Sequence, residues 1–199
     1  MAYPAFFDDV PTITLQDPLS RLLGAADGGL IEYSFAEVVK LTGHSCPTVA
    51  GAWLMTTGAL RRLYGNDIPT RGEISVQFRA SATEGVTGVI ASVAGFLTGA
   101  TVDTGFKGLR GRYDRRHLMS FSQPIEGDIR FERLDTGQGV TVSFDASPVP
   151  PAPRMMPSLF LAMGEGATEE ERAAFAQIWQ DRVRRILEQA EPLKLVKYS

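Results

Sequence analysis

Three stretches with apolar residues at helical spacing open with a hydroxyl residue followed three positions later by a glutamate: Ser34 with Glu37, Ser81 with Glu84, and Thr168 with Glu171. In such a capping box each side chain satisfies a backbone N–H of the other residue, so a helix begins there. After Ser34 come Phe35, Val38, Val39 and Leu41, apolar at helical spacing, and Gly43 closes the run. Val86, Val89, Ile90, Val93, Phe96 and Leu97 predict a second helix, with a strand pair as the competing reading because glycine and β-branched residues are frequent there. Beyond Thr168, Phe175, Ile178, Trp179, Val183, Ile186 and Leu187 fall on one stripe. Elsewhere the period changes to two. Ile74 to Arg79 alternates, as do Ile129 to Leu134 and Val140 to Phe144, and the last two flank a Gly-rich turn and read as a hairpin. Helices mixed with an antiparallel hairpin predict an α+β fold.

The punctuation suggests how the chain is divided. Residues 1–17 read as an irregular lead-in, and Leu19 to Leu23 as a short helical turn ended by Gly24. The body of the domain is expected over 18–146. Pro148, Pro150, Pro151, Pro153 and Pro157 make 147–167 a stiff, extended linker. A C-terminal helix and tail occupy 168–199, with a weakly alternating Leu193 to Tyr198 as a further strand. An apolar stripe on an arm behind a stiff linker has to be buried somewhere. It is expected to pack across a neighbouring subunit, giving a homodimer. With 44% apolar residues among 199, the chain can bury a core, and its formal net charge of -3 argues against nucleic acid as a partner. No apolar run is long enough to cross a membrane, and Met1 to Val10 lacks the basic start of a signal peptide. A soluble, cytoplasmic protein is expected.

The segment with most chemistry is Gly43-His44-Ser45-Cys46-Pro47. Cys46 is the sole cysteine, so an intrachain disulfide and a cysteine-cluster zinc site are both excluded. Pro47 suits the first position of a helix, and Val49, Trp53, Leu54, Leu60 and Leu63 continue it to Gly65. His44 and Cys46 therefore precede a helix, whose free N–H groups favour an anionic sulfur. Residues two apart in an extended segment point the same way. Thiolate and imidazole together suit zinc, copper or iron. The plainer account is a small core cysteine beside a polar capping histidine. Haem ligated by Cys46 or His44, with Trp53, Met55, Met119 and Phe121 lining its pocket, is an alternative.

This stretch resembles the Gly-His-x-Cys-Pro-Gly signature of the formylmethanofuran dehydrogenase FmdE-like family, with Thr48 in place of the second glycine. The resemblance covers about residues 34–122. It implies helices packed on one face of a mostly antiparallel sheet, a divalent metal, most simply zinc, held by His44 and Cys46, and a dimer. Two cysteines of the family pattern are missing: the corresponding stretches read Ser81-Ala82-Thr83-Glu84 and Thr98-Gly99-Ala100. Gly105-Phe106-Lys107-Gly108 approximates a further family run. A metal site here would rest on one thiolate and one or two imidazoles.

His117, the other histidine, is the candidate third ligand; a surface histidine in a basic loop is the simpler reading. Glu84 is explained by its capping box. Lys107, Arg110, Arg112, Arg115 and Arg116 crowd a Gly-rich segment that suits a small anionic ligand such as a carboxylate or phosphate, or else is a solvated loop or subunit contact.

Overall fold

Ile13 and Leu15 are buried while Thr14 and Gln16 lie nearer the surface, and this alternation makes β1 (Ile13–Gln16) a strand inside the expected lead-in. The structure, a computed structural model, describes residues 3–199; the first two residues of the lead-in lie outside the described residues. Asp17 caps α1 (Pro18–Leu23) by accepting the N–H groups of Leu19 and Ser20, and Pro18 takes the first helical position, where no N–H is needed. β2 (Leu30–Tyr33) returns antiparallel to β1. α2 (Phe35–Thr42) opens with the expected box, Ser34 N–H donating to Glu37 Oε2 at 2.8 Å. α3 (Pro47–Tyr64) begins at Pro47 and ends at Gly65, as its sequence predicts.

β3 (Ile74–Phe78) buries Ile74, Val76 and Phe78 and leaves Ser75 and Gln77 partly exposed. The segment after it is helical, which settles the choice against a strand pair. However, α4 (Thr87–Thr98) starts at Thr87 with Val86 at its cap. Ser81 and Glu84 close a separate turn ahead of it, Ser81 N–H donating to Glu84 Oε2 at 3.4 Å. The Gly-rich loop folds into a small hairpin of β4 (Lys107–Leu109) and β5 (Arg112–Asp114). Its two-residue turn, Arg110-Gly111, has both φ values positive, at 49° and 79°, matching the twist of the strands it joins.

β6 (Met119–Ser120) runs parallel to β3; β7 (Ile129–Arg133) and β8 (Gly139–Phe144) form the expected antiparallel hairpin. α5 (Met155–Ala162) lies within the stretch expected to be an extended linker. That expectation fails because Pro157 falls in the first helical turn, where its missing N–H breaks no bond. α6 (Glu169–Glu188) carries its capping box, and β9 (Val196–Tyr198) adds the last strand. The main sheet has the order β6-β3-β7-β8-β9, antiparallel except for β6 against β3. The fold is α+β.

One core joins these parts. Phe7, Phe35 and Trp53 form an aromatic chain with edge-on contacts, their centroids 5.0 and 6.2 Å apart. Val183 and Ile186 of α6 are fully buried in the same cluster, and α6 packs along α3 of its own chain. The C-terminal part of the stripe expected to need a neighbouring subunit, Val183 and Ile186 with Trp179 and Leu187 against them, is therefore covered within the chain, while Phe175 and Ile178 stay partly exposed. At Gly51, the Phe144 ring presses on α3 where any Cβ would overlap it, so glycine lets the helix sit close on β8. Among the described residues no helix is long and apolar enough to cross a membrane.

Candidate functional site

The turn between α2 and α3 places the His-x-Cys segment. Gly43 ends α2 in the left-handed conformation (φ 73°), a shape glycine adopts without a Cβ clash, and its N–H donates to Val39 O at 2.9 Å. His44 is exposed, Ser45 buried and Cys46 half-buried, the alternation of an extended segment. His44 Nδ1 lies 2.9 Å from Thr42 O. A carbonyl only accepts, so in the neutral ring Nδ1 carries the hydrogen and Nε2 keeps its lone pair. Cys46 caps α3, its Sγ accepting the Val49 N–H at 3.4 Å. Ser45 O accepts the indole N–H of Trp179 at 2.8 Å, which ties this turn to α6.

Two cavities flank this turn. His44 shares one of about 300 Å³ with Leu41, Thr42 and the start of α4 at Gly88, Val89 and Ser92. The other, about 460 Å³, opens beside Pro47 and Thr48 at the mouth of α3. Its floor is apolar, with Met55, Phe78, Ile90, Ile129 and Phe144. At its rim Arg79 Nη2 meets Asp128 Oδ1 at 2.8 Å, and Glu84 and Thr87 add polar groups. Asp128 Oδ2 also accepts the Phe144 N–H at 3.2 Å. A cavity of this kind holds a small organic molecule with a polar end. Cys46 lines neither cavity.

His117 lies elsewhere. Its N–H donates to Val102 O, just past the C-terminal end of α4, whereas His44 faces the N-terminal turn of that helix. Twelve residues of helix separate the two, a rise of about 18 Å. So the structure does not bring His117 to His44 and Cys46. Its Nδ1 is instead 3.5 Å from Asp103 Oδ1, in the open. Among the described residues no group of three His, Cys, Asp or Glu side chains converges as a ready metal site. His44 and Cys46 would supply at most two ligands of an incomplete set, the ring being exposed and the cysteine packed against the core. Of the side chains named for a haem pocket, Trp53 is sealed in the core, Met55 reaches the larger cavity, and Phe121 stacks on Phe78 with centroids 5.0 Å apart.

The basic segment also divides. Lys107, Arg110 and Arg112 are exposed on the β4–β5 hairpin. Arg116 forks onto its neighbour Asp114 through Nε at 3.0 Å and Nη2 at 2.7 Å, and this holds the Asp114 carboxyl down at about 2. Arg115 turns into the interior, its side chain 7% exposed, and Nη2 meets Asp17 Oδ1 at 2.7 Å. Arg71 Nη1 takes the other oxygen of Asp17 at 2.9 Å. Burial alone would raise the Asp17 pKa; the Ser20 N–H and the two guanidinium groups outweigh it and bring it below the ordinary value. Gly72 and Gly99 make room, because a Cβ at either would overlap the Arg115 guanidinium. Asp17 and Arg71 carry no functional signal in the sequence, although Asp17-Pro18 is a readable helix start. The two cavities have no sequence signal either, since their walls come from distant segments. Compared with protein-family models and with curated proteins, the chain matches no family and no curated relative.

Proposed function

We propose that the chain binds a divalent metal ion, zinc in the first instance, through His44 Nε2 and Cys46 Sγ, in the manner of the FmdE-like family. The observation that carries this is the hydrogen bond from His44 Nδ1–H to Thr42 O. Metal-binding histidines are commonly oriented by such a bond to a carbonyl, which presents the opposite nitrogen's lone pair. The Val49 N–H donates to Cys46 Sγ and fixes the sulfur at the mouth of α3. Two protein ligands leave positions for water, a small ligand or a second copy of the chain, the arrangement that Lewis-acid chemistry uses. Support for the family reading is the motif's place between α2 and α3, with helices packed on a mostly antiparallel sheet. A homodimer belongs to the same reading and is read by light scattering at micromolar concentration.

The larger cavity favours a second reading, a non-catalytic module that takes a small, largely apolar molecule on the cavity floor, with Cys46 serving only as a helix cap. Elemental analysis and an absorption spectrum of protein purified without a metal-affinity tag separate the two. Stoichiometric metal, lost in both His44→Ala and Cys46→Ser, is the expected result. Metal absent from wild type, or retained by both variants, overturns it, and a Soret band assigns the site to haem.

A further inference from the structure

Arg61 and Arg62, in the last turn of α3, and Lys194 and Lys197, near the end of the chain, line one cavity of about 440 Å³. Glu191 is the single acidic side chain in its wall. None of the four cations forms an ion pair with a described carboxylate, whereas most arginines elsewhere do. The whole chain is net negative, at -3, so this excess of positive charge is local.

The cavity is built rather than incidental to loose side chains. Tyr198 places its hydroxyl over Gly58, where a Cβ would collide with it. The Arg62 guanidinium lies 3.8 Å from the centroid of the Tyr198 ring, and Arg61 Nη2 donates to Thr12 O at 3.2 Å. The Arg62 fork is therefore held at the cavity before any ligand arrives, which lowers the ordering cost of binding, and Arg61 is tethered beside it through one nitrogen. Lys194 adopts the left-handed region (φ 50°), an unusual state for a side chain of its length. Fully buried Leu195 next to it, with its N–H donating to Ala190 O at 2.9 Å, fixes that turn. Backbone strain persists where the surroundings impose it, and here it sets an ammonium group at the cavity.

We propose that this cavity binds a phosphate-bearing small molecule. Guanidinium forks match phosphate oxygens two at a time, and lysine ammonium groups add point charges. Leu54 and Val196 offer an apolar wall for the organic remainder. A volume of about 440 Å³ suits a metabolite-sized ligand.

Titration of the full chain with pyrophosphate at low ionic strength tests this calorimetrically. Saturable one-to-one binding is expected. It should weaken by about tenfold or more in Lys194→Gln/Lys197→Gln, with the unfolding midpoint unchanged because both lysines are exposed. Lys197→Gln alone gives a smaller loss in the same direction and serves if the double variant folds poorly. His44→Ala and Cys46→Ser should bind pyrophosphate as wild type does, which keeps this site separate from the metal reading. Absent saturation, binding undiminished in the lysine variants, or tighter binding of citrate than of pyrophosphate would overturn the proposal.

Discussion

In the segment 107–116 five cations crowd together in sequence, yet Arg115 is buried on Asp17 and Arg116 is forked onto Asp114. Around the cavity at the end of α3, four cations from opposite parts of the chain meet in space, and none is paired with a described carboxylate. The first group looks like a binding loop when read along the chain and is partly structural. The second is invisible along the chain and stays free. Cations available to a ligand are those the fold leaves without a carboxylate, wherever they come from in the sequence.

The sharpest way to break this comparison is to remove Arg115. Asp17 would keep only Arg71, and a buried carboxylate losing a partner costs about 3 kcal/mol or more. Urea unfolding of Arg115→Ala should show that loss, while Arg116→Ala should leave the midpoint unmoved. Equal effects would mean that Arg115 carries no structural load. The glycine pair gives a smaller contrast. Gly111→Ala meets open space and bears only left-handed strain, about 1–2 kcal/mol. Gly72→Ala bears the same strain and also displaces the Arg115 guanidinium, which should add about 1 kcal/mol or more.

A pH titration sharpens the same point. The folded pKa of Asp17 lies below its ordinary value of 3.8. The unfolded chain therefore takes up the proton first as pH falls. The contribution of Asp17 is complete above the unfolded value and is lost as pH drops from there through the folded value. Asp17→Asn should be less stable than wild type at neutral pH, and the gap should narrow in acid; a constant gap would assign the loss to packing. The smallest effect is expected at Arg62→Gln, where one stacked guanidinium is worth about 0.5–1 kcal/mol.

Local signals carry well into the fold. Capping boxes locate α2 and α6, Cys46-Pro47 locates α3, and the alternation on either side of Gly137 locates the hairpin of β7 and β8. Each of these depends on neighbours within a few residues. The parallel strand β6 is weakly marked along the chain, because its two residues gain their meaning from Val76 and Gln77 far upstream. α5 is hidden because proline density signals extension, and only the position of Pro157 in a first turn reconciles it with a helix. Of the candidate site, the sequence shows only that His44 and Cys46 share one turn, not what else faces them. Whether His117 joins them depends on which end of α4 each faces. The destination of Arg115 likewise depends on an aspartate 98 residues upstream in the chain.

The bond from the Trp179 indole to Ser45 O has a practical consequence. Trp53, the other tryptophan, is sealed in the interior and contributes a steady background to the fluorescence. Trp179 is half-buried and anchored to the residue between His44 and Cys46. Its emission is thus a native optical gauge of the turn that carries His44 and Cys46, readable without any added dye.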